Sequence, residues 1–276
     1  MRLATIRTSA GTRAVRLTAD GYLDLGYADV GELLSNEDWA SRAAVSEGDV
    51  HPARAADLAP VVTRPGKVLC VGLNYRTHIL EMGRGLPEHP TLFAKFAESL
   101  IGARDDVELP PESDAVDWEA ELAVVIGKTV RRASEDEAER AIAGLTVLND
   151  VSMRDWQFRT KEWLQGKTFE ATTPVGPVLV TPDELPGGLR PAVSISCGVN
   201  GEVMQKADTS DLVFGPVDLV RYASTILTLR PGDIIATGTP GGVGHARTPA
   251  RYLADGDTVV TEIAGIGRLD NTARAA

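Results

Sequence analysis

The sequence predicts an α+β fold that is rich in β-strands, with a small N-terminal β-rich unit ahead of a larger domain. Short apolar runs of strand length recur through most of the 276 residues. Only a few stretches carry the caps and apolar spacing of helices. Those helices do not alternate regularly with the strands, so a doubly wound parallel sheet is not expected.

The N-terminal unit is predicted from short alternating runs. These strands are expected over residues 3–8, 13–17 and 22–25. Gly11 and Gly21 interrupt the runs, and Pro65 with Gly66 punctuates the chain before the next apolar segment. We therefore expect a small N-terminal domain over residues 1–62 and a larger domain over residues 63–276.

The larger domain is predicted to consist mainly of strands. They are expected over residues 68–71, 122–126, 146–148, 178–180, 192–199, 233–237 and 258–263. Asn200-Gly201 is the signature of a tight hairpin turn. Helices are expected over residues 30–34, 134–143 and 216–227, and Ser134 is the predicted N-cap of the second of these.

Composition limits the classes of function. At 43% hydrophobic and 24% charged residues, the chain is predicted to be globular rather than disordered. A net charge of −11 disfavours a nucleic-acid partner, because there is no basic field to release counterions. Neither a membrane-spanning run nor a signal peptide is evident, so a cytoplasmic location without membrane contact is expected. Cys70 and Cys197 are interpreted as isolated buried thiols.

Two acids in an apolar run are the strongest functional signal. Glu119 and Glu121 are two residues apart just before the run Leu122–Ile126, so in a strand they share one face. Asp150 follows a second apolar strand and could add a third carboxylate. Burial of such acids needs compensation, which a hard cation, Mg²⁺ or Mn²⁺ before Zn²⁺, would supply. The alternative is a solvated outer face of the sheet.

A histidine and a glutamate indicate acid–base chemistry. His78 and Glu81 are three residues apart, which places them on one face of a helical turn. A carboxylate beside an imidazole can fix its tautomer and leave the other nitrogen free to accept a proton. The alternative is a surface pair on an exposed helix. The other histidines have no such neighbour and are interpreted as structural: His51, His89 and His245.

Cationic side chains after Asp150 could hold an anion. Arg154 and Gln157 follow Asp150 by four and seven residues, a spacing that places all three on one helical face. Lys167 lies before a predicted strand. Arginine can bind a carboxylate through two hydrogen bonds, and lysine can stabilise an oxyanion. The alternatives are a salt bridge for Arg154 and a solvated loop position for Lys167.

A glycine-rich loop follows the predicted strand at residues 233–237. Its sequence, Thr-Gly-Thr-Pro-Gly-Gly-Val-Gly over residues 237–244, does not fit the nucleotide-binding glycine motifs. Such a loop can instead present backbone N–H groups and the hydroxyl of Thr239 to a ligand.

Taken together, these segments resemble the fumarylacetoacetate hydrolase family. The segments lie in the order typical of that family: Gly72-Leu73-Asn74-Tyr75-x-x-His78-x-x-Glu81, Glu119-x-Glu121, Asn149-Asp150-x-x-x-Arg154-Asp155-x-Gln157, Gly166-Lys167-Thr168-Phe169 and the glycine-rich loop. The resemblance spans residues 67 to about 270. It implies a mixed β-sandwich roll and a homodimer.

The resemblance also implies the site. Mg²⁺ or Mn²⁺ would be bound by the three acids, with Ca²⁺ as a substitute ion in a crystal, and a mobile lid carrying the histidine–glutamate pair would activate water. The substrate would be bound by Lys95, Arg154, Gln157 and Thr239. Lys167 would be a catalytic group. The chain departs from the family after Phe93-x-Lys95, where many members continue with Pro-Ser and this chain has Phe96-Ala97-Glu98-Ser99.

The function implied by the resemblance is hydrolysis of a C–C bond in a small anionic 2-oxo acid. The presence of the His78/Glu81 pair favours a 1,3-diketo acid, an acylpyruvate such as fumarylpyruvate, as encountered in aromatic catabolism. Alternatives within the family are an oxaloacetate decarboxylase and a 2-oxo-heptenedioate isomerase or hydratase. An alternative of another class is a non-catalytic, metal-stabilised binding protein.

Overall fold

Two β-sheets dominate the structure, a computed structural model that describes residues 1–44 and 47–276. The strands are β1 (Arg2–Thr8), β2 (Gly11–Leu17), β3 (Tyr22–Asp24), β4 (Val50–His51), β5 (Asp57–Leu58), β6 (Val68–Gly72), β7 (Thr91–Lys95), β8 (Leu100–Ile101), β9 (Val107–Leu109), β10 (Val116–Asp117), β11 (Ala120–Ile126), β12 (Ile142–Asn149), β13 (Ser152–Met153), β14 (Thr173–Val180), β15 (Ser194–Val199), β16 (Glu202–Asp208), β17 (Ile234–Ala236), β18 (Thr258–Ile263) and β19 (Gly267–Ala275).

The larger sheet is mixed and includes the N-terminal strands. Its main path is β4-β3-β2-β1-β14-β12-β11-β17-β6-β7, with β5 and β8 attached at its side. Most neighbours are antiparallel, whereas β17 and β6 are parallel. The N-terminal unit therefore extends the sheet of the larger domain through the pairing of β1 with β14. The domain boundary after residue 62 stays a prediction.

The smaller sheet packs against the centre of the larger one. Its order is β16-β15-β18-β19-β9, and it contacts β11, β12 and β14. Ile195, Val259 and Leu269 from this sheet are buried in one core together with Leu122 and Val124 of β11. The observed β-rich sandwich of mixed strands confirms the predicted fold class.

The central strand β11 is buried on both faces. Leu122 and Val124 face the core between the two sheets. Ala123 and Val125 face a second core that includes Leu33 and other side chains of the N-terminal unit. Burial on both sides explains why the sequence is continuously apolar instead of alternating with polar residues.

Helices are short and lie around the sheets. They are α1 (Val30–Leu34), α2 (Trp39–Ala43), α3 (Arg76–Glu81), α4 (Glu135–Ala141), α5 (Arg154–Gln157), α6 (Leu164–Lys167) and α7 (Pro216–Ile226). Ser134 caps α4 in a reciprocal capping box with Glu137, which confirms the predicted start of this helix. Among the described helices, none combines the length and the apolar character needed to cross a membrane.

Several predicted elements are confirmed and others differ. Helices α1 and α7 and the hairpin turn at Asn200-Gly201 are present. Helix α4 ends at Ala141, two residues early, because Ile142 begins the buried strand β12. Among the strands of five or more residues, the sequence analysis missed β7 and β19, and it also missed several two- and three-residue strands. Strand β19 alternates buried residues with exposed ones such as Arg268 and Asp270, so its apolar signal is weak.

Candidate active site

Strand pairing brings the three predicted acids together. Ala120 of β11 pairs with Asn149 of β12, and the Asp150 N–H donates to the Glu119 carbonyl at 2.8 Å. Asp150 therefore lies directly across from Glu119, while Glu121 projects from the same face two residues along. All three are buried, and one carboxylate oxygen of each lies within 4.8 Å of the others. The solvated outer face considered above is therefore excluded.

Three cations surround this acidic cluster. Lys167 Nζ donates to Glu119 Oε2 at 2.7 Å and to Asp150 Oδ2 at 2.8 Å. Lys95 Nζ donates to Asp150 Oδ1 at 2.7 Å, and Arg154 Nη2 lies 2.6 Å from Glu119 Oε1. Both lysines and the arginine are buried. Lys167 is thus not a solvated loop residue, and these pairs offset part of the desolvation cost of the acids.

Glu121 has no cationic partner among the described residues. Its carboxylate accepts one hydrogen bond, from the Gly238 N–H at 2.7 Å. Burial, followed by the charges of Asp150 and Glu119, raises the pKa of Glu121 well above its usual range. A buried cluster of hard oxygen donors that leaves one carboxylate without a counter-charge fits a divalent cation such as Mg²⁺ or Mn²⁺.

A buried aspartate that the sequence analysis missed anchors Arg154. Asp117 is fully buried and accepts Arg154 Nε at 2.8 Å. Its two oxygens also accept the N–H groups of Gly244 at 2.6 Å and His245 at 3.0 Å. Arg154 Nη1 donates to Gln157 Oε1 at 2.8 Å. Asp117 therefore ties helix α5 to the end of the glycine-rich loop, and only the fold brings these segments together.

The predicted helical face shared by Asp150, Arg154 and Gln157 is wrong in part. Asp150 lies at the end of β12, and the helix begins only at Arg154, after the short strand β13. Asp150 still pairs with the strand-side residue Glu119, and the chain turns only at Val151, whose N–H donates to the Asn149 carbonyl. Arg154 and Gln157 do share a face of α5.

A cavity of about 280 Å³ opens over the acidic cluster. The predicted site residues on its wall are His78, Glu119, Glu121, Arg154, Gln157, Lys167 and Thr239. Lys95 does not line it. Its ammonium lies behind the cluster, on Asp150 and on the carbonyl of Val151 at 3.0 Å. This position suits a residue that holds a carboxylate, whereas a direct contact of Lys95 with substrate stays a prediction.

The segment that follows β6 carries the histidine–glutamate pair beside this cavity. Helix α3 is held at its start by Asp211, which accepts the N–H of Thr77 at 3.0 Å. His78 is half-buried and Glu81 is exposed. Both side chains lie close to Gly241. A Cβ atom added to this glycine would be 3.1 Å from His78 Nδ1 and 3.6 Å from Glu81 Oε2. The structure thus places the pair over the glycine-rich loop.

The surroundings of His78 favour its neutral form. Burial lowers its pKa below the ordinary value, and the nearby charges of Glu81 and Glu119 only partly oppose this effect. A neutral imidazole on the cavity wall can accept a proton near neutral pH.

The glycine-rich loop is already engaged with the protein. Gly238 has φ +100°, a conformation that favours glycine, and this directs its N–H to Glu121. The Thr239 hydroxyl donates to the Ala120 carbonyl at 3.0 Å and accepts from Gln205 Nε2 at 2.8 Å. Thr239 lines the cavity, but most of its hydrogen-bonding capacity is used within the protein.

The cavity wall also includes residues that the sequence analysis did not select. His245, interpreted above as structural, lines the cavity and packs 5.2 Å from the ring of Phe158. Arg84 lines it from the segment after α3, and Phe93 and Trp163, which pack edge-on against each other, also line it. No sequence signal marks these positions, because their proximity depends on contacts between distant segments.

The sequence of this chain is similar to those of known proteins. The family model "Fumarylacetoacetate (FAA) hydrolase C-terminal" matches residues 67–274. The oxaloacetate tautomerase Fahd2a, mitochondrial, of Rattus norvegicus is 49% identical over 217 residues, which cover 78% of this chain and 68% of the relative.

Two solved structures extend the similarity to the whole chain. The fumarylacetoacetate hydrolase of the psychrophilic Exiguobacterium antarcticum is 31% identical, with a TM-score of 0.87 and 100% of both chains covered. The maleylpyruvate hydrolase of Sphingobium sp. SYK-6, solved with manganese(II) and pyruvate, is 28% identical, with a TM-score of 0.81 and the same coverage. The chain belongs to the fumarylacetoacetate hydrolase family of enzymes.

Proposed function

We propose that this protein is a divalent-metal-dependent oxaloacetate tautomerase, which interconverts the keto and enol forms of a 2-oxo dicarboxylic acid. The observation that carries the proposal is the 49% identity, over 217 residues, to a protein named oxaloacetate tautomerase. This function replaces acylpyruvate hydrolysis as our first choice, and it keeps the substrate of the oxaloacetate alternative.

His78 is the proposed proton-transfer group. Tautomerisation moves one proton from C3 of the keto acid and places one on the C2 oxygen, so it needs a base near the substrate carbon. A neutral, half-buried imidazole on the cavity wall suits this task. Glu81, next to it and exposed, would stabilise the imidazolium that forms and pass its proton to solvent.

Lys167 is the proposed stabiliser of the enolate charge. Burial lowers its pKa, but the charges of Asp150 and Glu119 more than compensate, so the net pKa is raised and Lys167 stays cationic at neutral pH. Glu119, Glu121 and Asp150 would hold Mg²⁺ or Mn²⁺, which when bound would act as a Lewis acid toward the 2-oxo acid group. Arg154 would keep Glu119 and Gln157 in place.

Acylpyruvate hydrolysis is the second candidate. The similarity to the maleylpyruvate hydrolase supports it, as does the presence of a base that could activate water in place of removing a C3 proton. Decarboxylation of oxaloacetate needs the same enolate stabilisation and no water. The three reactions therefore share one site and differ in how the proton and water are handled.

One experiment separates these reactions. Solid oxaloacetic acid dissolves as the enol, whose ultraviolet absorbance decays as the keto form appears. The purified protein with Mg²⁺ or Mn²⁺ should accelerate this decay well beyond the metal alone. Malate dehydrogenase then reports the keto form, lactate dehydrogenase reports pyruvate from decarboxylation, and fumarylpyruvate tests hydrolysis. Enol decay equal to the metal control, with rapid fumarylpyruvate cleavage, would instead establish the hydrolase.

We further propose that the protein acts as a homodimer in the cytoplasm. The dimer rests on the family resemblance, and the exposed apolar side chains Phe96 and Phe158, 55% and 56% exposed, are the positions proposed for its interface. The location rests on the sequence alone.

A further inference from the structure

The cationic side chains that line the active-site cavity differ in whether they have a carboxylate partner. Arg154 is paired with Asp117 and Glu119, and Lys167 is paired with Glu119 and Asp150. Arg84 also lines the cavity, yet within residues 1–44 and 47–276 its guanidinium makes no ion pair or hydrogen bond. The cavity thus contains one cation whose charge is available to a ligand.

The backbone holds Arg84 at the cavity. Gly83, with φ +69°, ends helix α3 in a left-handed turn, and the Arg84 N–H donates to the Ile79 carbonyl at 3.2 Å. Ile79 is buried. The segment is therefore tied to the same helix that presents His78 to the cavity.

His245 offers a second polar group that lines the same cavity. A hydrogen bond of 2.9 Å joins its Nδ1 to the Tyr252 hydroxyl. When the hydroxyl donates, the proton of the neutral ring lies on Nε2, which can then donate to a ligand. Its backbone N–H donates to Asp117 at 3.0 Å, so the residue is held by the same aspartate that binds Arg154.

We propose that Arg84, with His245, forms a subsite for the remote carboxylate of a dicarboxylic 2-oxo acid. This inference rests on the proposed function, in which the 2-oxo acid group lies at the acidic cluster and leaves the second carboxylate to be bound elsewhere. An arginine can bind a carboxylate through two hydrogen bonds. The aromatic side chains of Phe93 and Trp163 line the same cavity and limit its hydration.

Two unreactive ligands test the subsite. L-Malate and L-2-hydroxybutyrate have the same length and head group, and they differ only by a carboxylate in place of a methyl group. Neither has a 2-oxo group to enolise, so calorimetric titration in Mg²⁺ measures binding without turnover. We expect the parent protein to bind malate about tenfold or more tightly than 2-hydroxybutyrate.

Substitutions test whether the preference for malate over 2-hydroxybutyrate depends on the proposed residues. Arg84→Gln should reduce it to about one by weakening malate alone, and His245→Phe should reduce it by a smaller factor. Arg76→Gln is the matched control, because Arg76 is exposed on α3, does not line the cavity and carries the same charge. It should leave the preference unchanged.

The outcomes that overturn the inference are distinct. Equal binding of the two ligands by the parent, equal loss of both in Arg84→Gln, or equal effects of Arg84→Gln and Arg76→Gln would remove the subsite. An unchanged preference in His245→Phe would remove His245 from it. If malate preference depends on Arg84 but the parent does not accelerate enol decay, the proposed function fails while the subsite stands.

Discussion

At the scale of single residues, the site depends on which buried charges are paired. Glu119 and Asp150 have cationic partners, whereas Glu121 accepts only the N–H of Gly238 among the residues that the structure describes. A divalent cation would supply the missing counter-charge. Because removing one ligand from three weakens both the charge and the geometry of such a site, the acids can be tested one at a time.

We predict that Glu119→Gln and Asp150→Asn each weaken Mn²⁺ binding and abolish activity, because each removes an anionic oxygen ligand. Calorimetric titration with Mn²⁺ measures the first effect directly. Glu162→Gln is the control, since Glu162 is exposed and should bind Mn²⁺ like the parent. Unchanged Mn²⁺ affinity in both acidic-cluster variants would sink the metal assignment.

Lys167 should matter for the reaction itself. Lys167→Ala is expected to lower kcat/KM by about 10²-fold or more, since a buried cation beside the developing negative charge is lost. The nearby exposed Lys161→Ala should keep parental rates. A Mn²⁺ titration of the Lys167 variant shows whether lost metal affinity accounts for the change. A near-normal kcat/KM would rule out the proposed role.

At the scale of secondary-structure elements, two short segments set the chemistry: helix α3 and the loop that ends at His245. Helix α3 presents His78 to the cavity. The loop is held to helix α5 through Asp117. Neither segment has a large core of its own, so both depend on polar anchors to keep their positions.

The pH dependence of kcat/KM for enol decay should reflect the protonation of His78. Because burial lowers its pKa, the base form should persist below the ordinary value of 6.5 and be lost as the pH falls further. The acid limb of kcat/KM for enol decay should thus lie below pH 6.5 in the parent. His78→Ala should lower the rate by roughly 10²–10⁴-fold and lack this limb. A parental rate in this variant would return the histidine to a surface role.

Asp117 is predicted to stabilise the site as a whole. Asp117→Asn keeps the shape but removes the charge that faces buried Arg154, so we expect about 3 kcal/mol of unfolding free energy to be lost. Urea denaturation of the metal-free protein measures this loss. Asp114→Asn serves as the control, because Asp114 is exposed and nearby. Equal stability of the two variants would contradict an anchoring role for Asp117.

At the scale of the whole molecule, the packing of the two sheets positions the site. Strand β11 is buried on both faces, and the acids lie where it begins. The N-terminal strands extend the larger sheet through β1 and β14. The site therefore depends on elements from distant parts of the chain.

The proposed homodimer is the whole-molecule prediction. One chain has a mass of 29.4 kDa, and light scattering coupled to size exclusion should give twice that value. Phe96→Ser and Phe158→Ser, at the exposed apolar positions, should favour the monomer if those positions lie at the interface, and Val50→Ser is a comparably exposed control. A parental mass of one chain would contradict the dimer.

The sequence by itself determined the class of fold, the main helix starts and the acidic cluster. These features depend on local rules: the alternation that places Glu119 and Glu121 on one face, the cap at Ser134 and the turn at Asn200-Gly201. Residue type and spacing also selected His78 and Lys167, which the family motifs then supported and which do line the cavity.

Only the tertiary structure decided how the site is completed. It placed Lys95 behind Asp150, paired Arg154 with Asp117, and brought Arg84 and His245 to the lining of one cavity. Lys95 and Asp150 are 55 residues apart, and Asp117 and Gly244 are 127 apart. No spacing rule reaches so far, because such contacts arise from strand register and the packing of sheets rather than from the local geometry of the chain.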